Sequence, residues 1–242
     1  MALKEITWRG NRYPIYYDII NPNAKNDFTV LHGWGSNKEI MKGAFSKTLP
    51  AFRHIYIDLP GFGKSPNETV LTTEDYAQIV AHLLDTLHVK RDIVAGHSFG
   101  GKVATLLDPQ MLVLLSSAGI PVPKPLSVRM KIKLFKLLKP LGLGNLRRLF
   151  ASKDVSGMSQ VMYETFKNVV DEDFIDIFAA RKGQTLLFWG KSDTATPLFT
   201  GEKVHELIPQ SKLCPLEGDH FFFIRHAALI GDTITQEYSR AV

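Results

Sequence analysis

Arg91-Asp92-Ile93-Val94-Ala95-Gly96-His97-Ser98-Phe99-Gly100-Gly101 decides how the rest of the chain is read. An apolar run, expected to be a strand over 91–96, ends in Gly96, and Ser98 stands between Gly96 and Gly100. This G-x-S-x-G spacing has a mechanical reason. A serine on a sharp strand-to-helix turn projects its hydroxyl into open space, but the turn strains the backbone and leaves no room for neighbouring side chains. Glycine two residues before and two after supplies that room. A helix over about 99–107 would aim its unpaired N–H groups at any anion forming beside the serine. The pentapeptide alone also fits an ordinary tight turn. The catalytic reading therefore needs a base, an acid and an oxyanion site elsewhere in the chain.

Working outward, the sequence alternates strands with helices. Residues 4–8 and 13–19 read as strands around Gly10-Asn11, with Tyr13, Ile15 and Tyr17 on one buried face. Asp27–Leu31, Arg53–Asp58, Met111–Leu115, Thr185–Gly190 and Lys212–Leu216 are further apolar strands. Helices are expected near 38–49, 198–208 and 221–239. A further helix is capped by Thr72 or Thr73 and packs through Tyr76, Ile79, Val80, Leu83, Leu84 and Leu87. Uninterrupted apolar strands between helices indicate a parallel sheet covered on both faces. Sites in such sheets gather beyond the carboxyl ends of the strands. His32-Gly33-Trp34-Gly35, the serine turn, Ser192-Asp193 and Asp219-His220 all follow strands, so all four share one rim.

Serine is a weak nucleophile at its free pKa and needs a positioned base. His220, in the glycine-bearing loop before the last helix, is the candidate base. His54, His82, His88 and His205 fall within patterned elements, His226 falls on the last helix, and His97 is expected to project away along the turn. Asp193 is the candidate acid that orients the imidazole; as a bland alternative it is simply a turn residue of Lys191-Ser192-Asp193-Thr194. Asp219 is too close in sequence to reach its neighbour's ring, and the turn at Pro60-Gly61-Phe62-Gly63 carries Asp58 away. The chain order Ser98, Asp193, His220 is that of an open α/β sheet with this turn. The backbone N–H groups of Phe99 and Trp34 are the expected oxyanion donors.

Composition narrows the class. The chain has 242 residues, 45% of them apolar, enough for one large α/β domain. Its single cysteine, Cys214, excludes internal disulfides and cysteine-based metal clusters. The first residues lack the apolar core of a signal peptide and no apolar run is long enough to span a bilayer, so a cytoplasmic protein is expected. The net charge of +5 is unevenly placed. Nine basic residues and no acidic ones lie between Pro109 and Lys153, while the remainder is net acidic. Residues 129–139 read as a basic amphipathic helix. Three readings stay open for it: a solvated face, attraction of an anionic substrate, or weak contact with an anionic membrane surface. No recognition module supports nucleic-acid binding.

Taken together, His32-Gly33-Trp34-Gly35, Asp58 through Ser65, Gly96 through Gly101, Trp189-Gly190-Lys191-Ser192-Asp193 and Gly218-Asp219-His220 resemble the α/β-hydrolase superfamily. The resemblance covers nearly the whole chain. It implies a mostly parallel eight-stranded sheet flanked by helices, with a helical cap between strands six and seven. The core is then 1–119 and 183–242, and the cap 120–182. Within the superfamily the chain looks like small bacterial esterases and meta-cleavage-product (C–C bond) hydrolases. The latter usually have Asn before the nucleophile and Trp after the histidine, where this chain has His97 and Phe221. The segment from Ser98 to the next strand is also several residues shorter than usual, so a truncated helix is expected behind the serine.

The implied activity is hydrolysis of a small ester or related acyl compound by a Ser98–His220–Asp193 triad, with no cofactor and no metal. The alternatives are a C–C bond hydrolase and a ligand-sensing protein on the same fold. His32, Gly33, His97, Met158, Met162, Phe166 and Phe221 are the candidate pocket residues; Phe150 and Tyr163 belong to the same apolar set, much of it cap core. The expected partner is a small-molecule substrate, anionic if the basic stretch attracts it, and the expected assembly is a monomer or homodimer.

Overall fold

The computed structural model describes residues 1–122 and 158–241. Eight strands form one sheet in the order β1-β2-β4-β3-β5-β6-β7-β8. They are β1 Ala2–Trp8, β2 Asn11–Ile20, β3 Asn26–Leu31, β4 Phe52–Ile57, β5 Ile93–His97, β6 Met111–Leu115, β7 Gln184–Gly190 and β8 Lys212–Leu216. β1 and β2 form an antiparallel hairpin, and β2 pairs antiparallel with β4. Every pairing from β4 to β8 is parallel.

The strand residues explain the two-sided cover. On β5, β6 and β7 successive side chains point to opposite faces, and both sets are apolar. Ile93, Ala95, Met111, Val113, Leu115, Leu186 and Phe188 enter one core with α1 (Lys38–Phe45) and α7 (Phe223–Ala241). Val94, Leu112, Leu114, Leu187 and Trp189 enter the other with α2 (Thr73–Thr86), α3 (Phe99–Leu106) and α6 (Leu198–Leu207).

Helix starts and stops follow from local chemistry. Thr72, rather than Thr73, caps α2: its hydroxyl accepts from Asp75 N–H while the Asp75 carboxylate accepts from Thr72 N–H. α1 stops at Phe45, four residues short of the expected end, because the chain turns before Pro50 with Leu49 at φ 43°. α3 is only eight residues long, as its short connection to β6 requires.

β6 and β7 are neighbours, so residues 120–182 leave and return to the sheet between them. Their described part holds α4 (Gln160–Val169) and α5 (Ile175–Ala180). The basic stretch 129–139 and Phe150 lie outside the described residues. Side chains around α4 and α5 tie the returning chain to α2 and α3. Thr165 Oγ1 accepts from Leu71 N–H at 3.1 Å, and Asn168 donates to Leu71 O at 3.2 Å. The fully buried Lys102 ammonium donates to Val169 O and, at 2.8 Å, to Glu172, which also accepts from Thr73.

Candidate active site

Ser98 sits at φ 51°, ψ −116°, between the end of β5 and the first residue of α3. A non-glycine residue in that region is strained, and it persists only because its surroundings over-determine it. Here they do. Ser98 N–H donates to Leu115 O at 3.1 Å, and Ser98 O accepts from Gly101 N–H at 3.0 Å and Ala118 N–H at 3.1 Å. The flanking glycines let the turn close. A Cβ on Gly96 would lie 2.2 Å from Gly100 O, and one on Gly100 would lie 2.5 Å from His32 O.

Asp193 and His220 come together from the ends of β7 and β8. His220 Nδ1 donates to Asp193 Oδ2 at 2.7 Å, so the lone pair of His220 is on Nε2. Asp193 is also the turn residue its neighbours suggested: Oδ1 accepts from Ala195 N–H at 2.8 Å and Thr196 N–H at 3.0 Å. Burial acts to raise the Asp193 carboxyl, but the bonds from His220, Thr196 and Ser116 and the His220 charge outweigh it and bring it down to about 2. Among the described residues the Ser98 hydroxyl makes no hydrogen bond, so the expected Ser98–His220 link is not closed in this structure. Such links are often long without substrate and tighten in the complex.

Two residues missed by the sequence reading support this pair. Thr196 Oγ1 lies 3.0 Å from Asp193 Oδ2, 3.0 Å from Ser116 O and 3.4 Å from His220 Nδ1. Ser116 accepts from Gly190 N–H at 3.3 Å, joining the ends of β6 and β7. The only signal for Thr196 was its place three residues after an Asp in a turn. Neither rival acid competes. Asp58 accepts from Lys38 N–H at 2.8 Å and Lys64 N–H at 3.1 Å, and Asp219 is spent on Phe221 N–H at 2.9 Å.

The Gly33-Trp34 loop, the expected oxyanion site, is fixed from beneath by His32. Leu59 N–H donates to His32 Nε2 at 3.1 Å, so Nδ1 carries the proton and donates to Gly33 O at 2.8 Å. Burial brings His32 down to about 4, against the opposing bond to Gly33 and the Asp58 charge, and the ring stays neutral. In a trans peptide the N–H points opposite the carbonyl, so pinning Gly33 O inward turns Trp34 N–H outward. Phe99, as the first residue of α3, has an N–H without a helical acceptor. Gly33 lies against the serine: a Cβ there would meet Ser98 Cβ at 3.1 Å and His97 Nδ1 at 2.9 Å.

The remaining pocket candidates divide. His32 and His97 were expected on the wall but are enclosed, at 0% and 2% exposure; His32 bonds Gly33 O and Leu59 N–H, and His97 bonds His220 O. His97 does not project away along the turn; its ring stands 4.5 Å from the His220 ring. Phe221 is exposed and packs on both of those rings. Phe166 of α4 lies 5.3 Å from Trp34, which also packs on Phe62 at 4.8 Å and Phe99 at 5.5 Å. Met162 reaches the Gly61 turn, with its sulfur 3.6 Å from Asn67 Nδ2. Met158 is half-buried ahead of Ser159, the α4 cap.

Residues 30–232 match the family described as "Alpha/beta hydrolase family". The chain belongs to the alpha/beta hydrolase family. It is 30% identical to the AB hydrolase superfamily protein YisY of Bacillus subtilis over 85% of this chain and 89% of that one. A shorter match, 35% identical over 34% of this chain and 31% of the relative, is to a pimeloyl-[acyl-carrier protein] methyl ester esterase of Pectobacterium carotovorum. The solved esterase EaEST of Exiguobacterium antarcticum superposes with a TM-score of 0.76 at 22% identity, covering 97% of this chain and 98% of that one. The match to so complete a fold confirms the expected eight-stranded architecture. Among the described residues no helix is long and apolar enough to cross a membrane.

Proposed function

We propose that this hydrolase is a serine esterase acting on a small, apolar acyl compound. The observation that carries the reading is the strained Ser98 backbone at the head of α3, on the same sheet edge as the hydrogen-bonded Asp193 and His220. A strained residue held in place by its surroundings motivates a functional reading, and Ser98 is the one of several positive-φ residues that stands at the head of a helix between two glycines.

In this reading His220 Nε2 takes the Ser98 proton as Oγ attacks the substrate carbonyl. Asp193 holds the ring in the tautomer that leaves Nε2 free and offsets the charge of the imidazolium that forms. The N–H groups of Trp34 and Phe99 receive the oxyanion of the tetrahedral intermediate. His220 then returns its proton to the leaving alcohol, and water repeats the sequence to release the acid and Ser98. Trp34, Phe62, Phe99 and Phe166 supply the apolar, aromatic wall for the acyl group. The described end of the expected cap acts as part of a lid over Ser98, since α4 brings Phe166 and Met162 to this wall. The short esterase match is in keeping with this chemistry.

The test is a series of p-nitrophenyl esters from acetate to octanoate, with a fluorophosphonate probe and a meta-cleavage product alongside. Turnover of the short esters and labelling at Ser98 are expected. Labelling that persists in Ser98→Ala would remove Ser98 as nucleophile, and turnover confined to the meta-cleavage product would assign C–C hydrolysis instead.

A further inference from the structure

His97 lies against three parts of the site. It precedes Ser98 on the chain. Its Nε2 lies 2.9 Å from the backbone oxygen of His220. Its Nδ1 faces Gly33, where any Cβ would come within 2.9 Å of it. The ring is packed by His220 at 4.5 Å, Phe223 at 4.8 Å and Phe221 at 5.3 Å. A carbonyl oxygen only accepts, so Nε2 carries the proton and Nδ1 is left as a lone pair. Among the described residues that buried Nδ1 has no partner. An orphaned buried acceptor is unfavourable, and an apolar side chain of the same size would avoid it. What such a side chain would not provide is the bond to His220 O. Burial first, and the neighbouring His220 charge second, bring the ring down to about 3, so it stays neutral when the adjacent imidazole takes up a proton.

We infer that His97 is a positioning residue: its Nε2–H holds the carbonyl of His220 and thereby fixes where the His220 ring stands over Ser98. The inference rests on reading Ser98 and His220 as nucleophile and base. The Asp193 bond fixes the ring's rotation from one side, and the His97 bond fixes its backbone from the other. With either missing, the ring has one anchor, and a displacement of about 1 Å costs a rate factor of order 10².

The experiment compares His97→Gln with His97→Met. The two replacements have nearly the same length and shape, and only Gln keeps a donor near the place of Nε2. For His97→Met we expect kcat and the rate of fluorophosphonate labelling to fall roughly 10–100-fold, with KM within about twofold of the parent. For His97→Gln we expect recovery to within about fivefold of the parent. A merely structural role would lower the melting temperature of both variants without this split. Met as fast as the parent, or Gln no better than Met, overturns the inference. Should neither variant fold, the ring-nitrogen chemical shifts of the parent decide it: protonated Nε2 through the neutral range is expected, and protonated Nδ1 overturns it. If the parent itself is not labelled at Ser98, the reading of the site fails separately, whatever the His97 variants do.

Discussion

The two ends of the parallel strands are built to opposite rules. At the amino ends of β3 and β5, Asp27 is buried and saturated. Arg53 Nε and Nη2 donate to its two oxygens at 2.6 and 2.9 Å, Lys90 N–H donates at 2.6 Å, and Asp27's own N–H goes to Asp92 at 2.9 Å. The orphaned atoms there, Arg91 Nε and Arg181 Nε, belong to guanidinium groups bonded through other nitrogens, Arg91 Nη2 to Asp85 and Arg181 Nη1 to Asp108. At the carboxyl ends, His97 Nδ1, Trp34 Nε1 and Ser36 Oγ are buried without partners among the described residues, and Ser98 is strained. One end is satisfied and holds the sheet. Among the described residues, the other keeps buried polar atoms without partners beside Ser98.

The sharpest way to break this contrast is Ser98→Ala. Turnover and fluorophosphonate labelling should fall by at least ~10³-fold with the melting temperature nearly unchanged, since only the attacking hydroxyl is lost. The mirror experiment is Asp27→Ala. It leaves Arg53 and Lys90 N–H without their acceptor, so stability should drop by about 3 kcal/mol, or roughly 10 °C in thermal midpoint. The kcat of the folded fraction should stay at the parent value. A large fall in kcat at equal folded fraction would show that the two ends are not separate.

A smaller effect is expected from Thr196→Val, which removes the hydroxyl beside Asp193 Oδ2 and His220 Nδ1 but keeps the backbone N–H to Oδ1. We expect kcat to fall about tenfold with KM little changed, read from steady-state ester hydrolysis. Smallest is the acid response of Asp193→Asn. A carboxyl held at about 2, below its ordinary 3.8, stabilises the fold fully above that ordinary value and ceases to as pH falls through its own. The parent should therefore lose stability between about pH 4 and pH 2 by an amount that the Asn variant lacks, measured by acid-induced unfolding. Identical acid limbs would show that Asp193 is not held in this way.

What was legible in the sequence is what chain periodicity and spacing encode. Alternation around Gly10-Asn11 marked the first two strands, and apolar runs followed by glycine or polar clusters marked the rest and the rim they share. The Asp193–His220 pairing was legible too, because both residues follow strands that end side by side. What stayed hidden depends on side-chain direction. His97 ends β5 on the face shared with Ile93 and Ala95, and that alternation carries its ring to Phe223 and beneath the His220 loop. His32 was legible as part of a motif, but not as the residue that pins Gly33 O, because its second partner, Leu59 N–H, comes from the end of another strand. Thr196 has a role only once Asp193 and Ser116 meet across β6 and β7.

The Ser98 backbone also bears on how fast the chain comes apart. Its strain exists only once β5, β6 and α3 have closed around it, since Leu115, Gly101 and Ala118 are the groups that hold the turn. Energy stored late in assembly raises the native basin without raising the barrier that leads to it. It therefore speeds unfolding and leaves folding nearly untouched. Glycine occupies such a conformation freely. A Ser98→Gly chain should thus unfold more slowly from the same sheet, while the extra freedom of glycine in the unfolded chain slows its folding slightly. The lifetime of the native molecule is shortened by the turn that presents its hydroxyl.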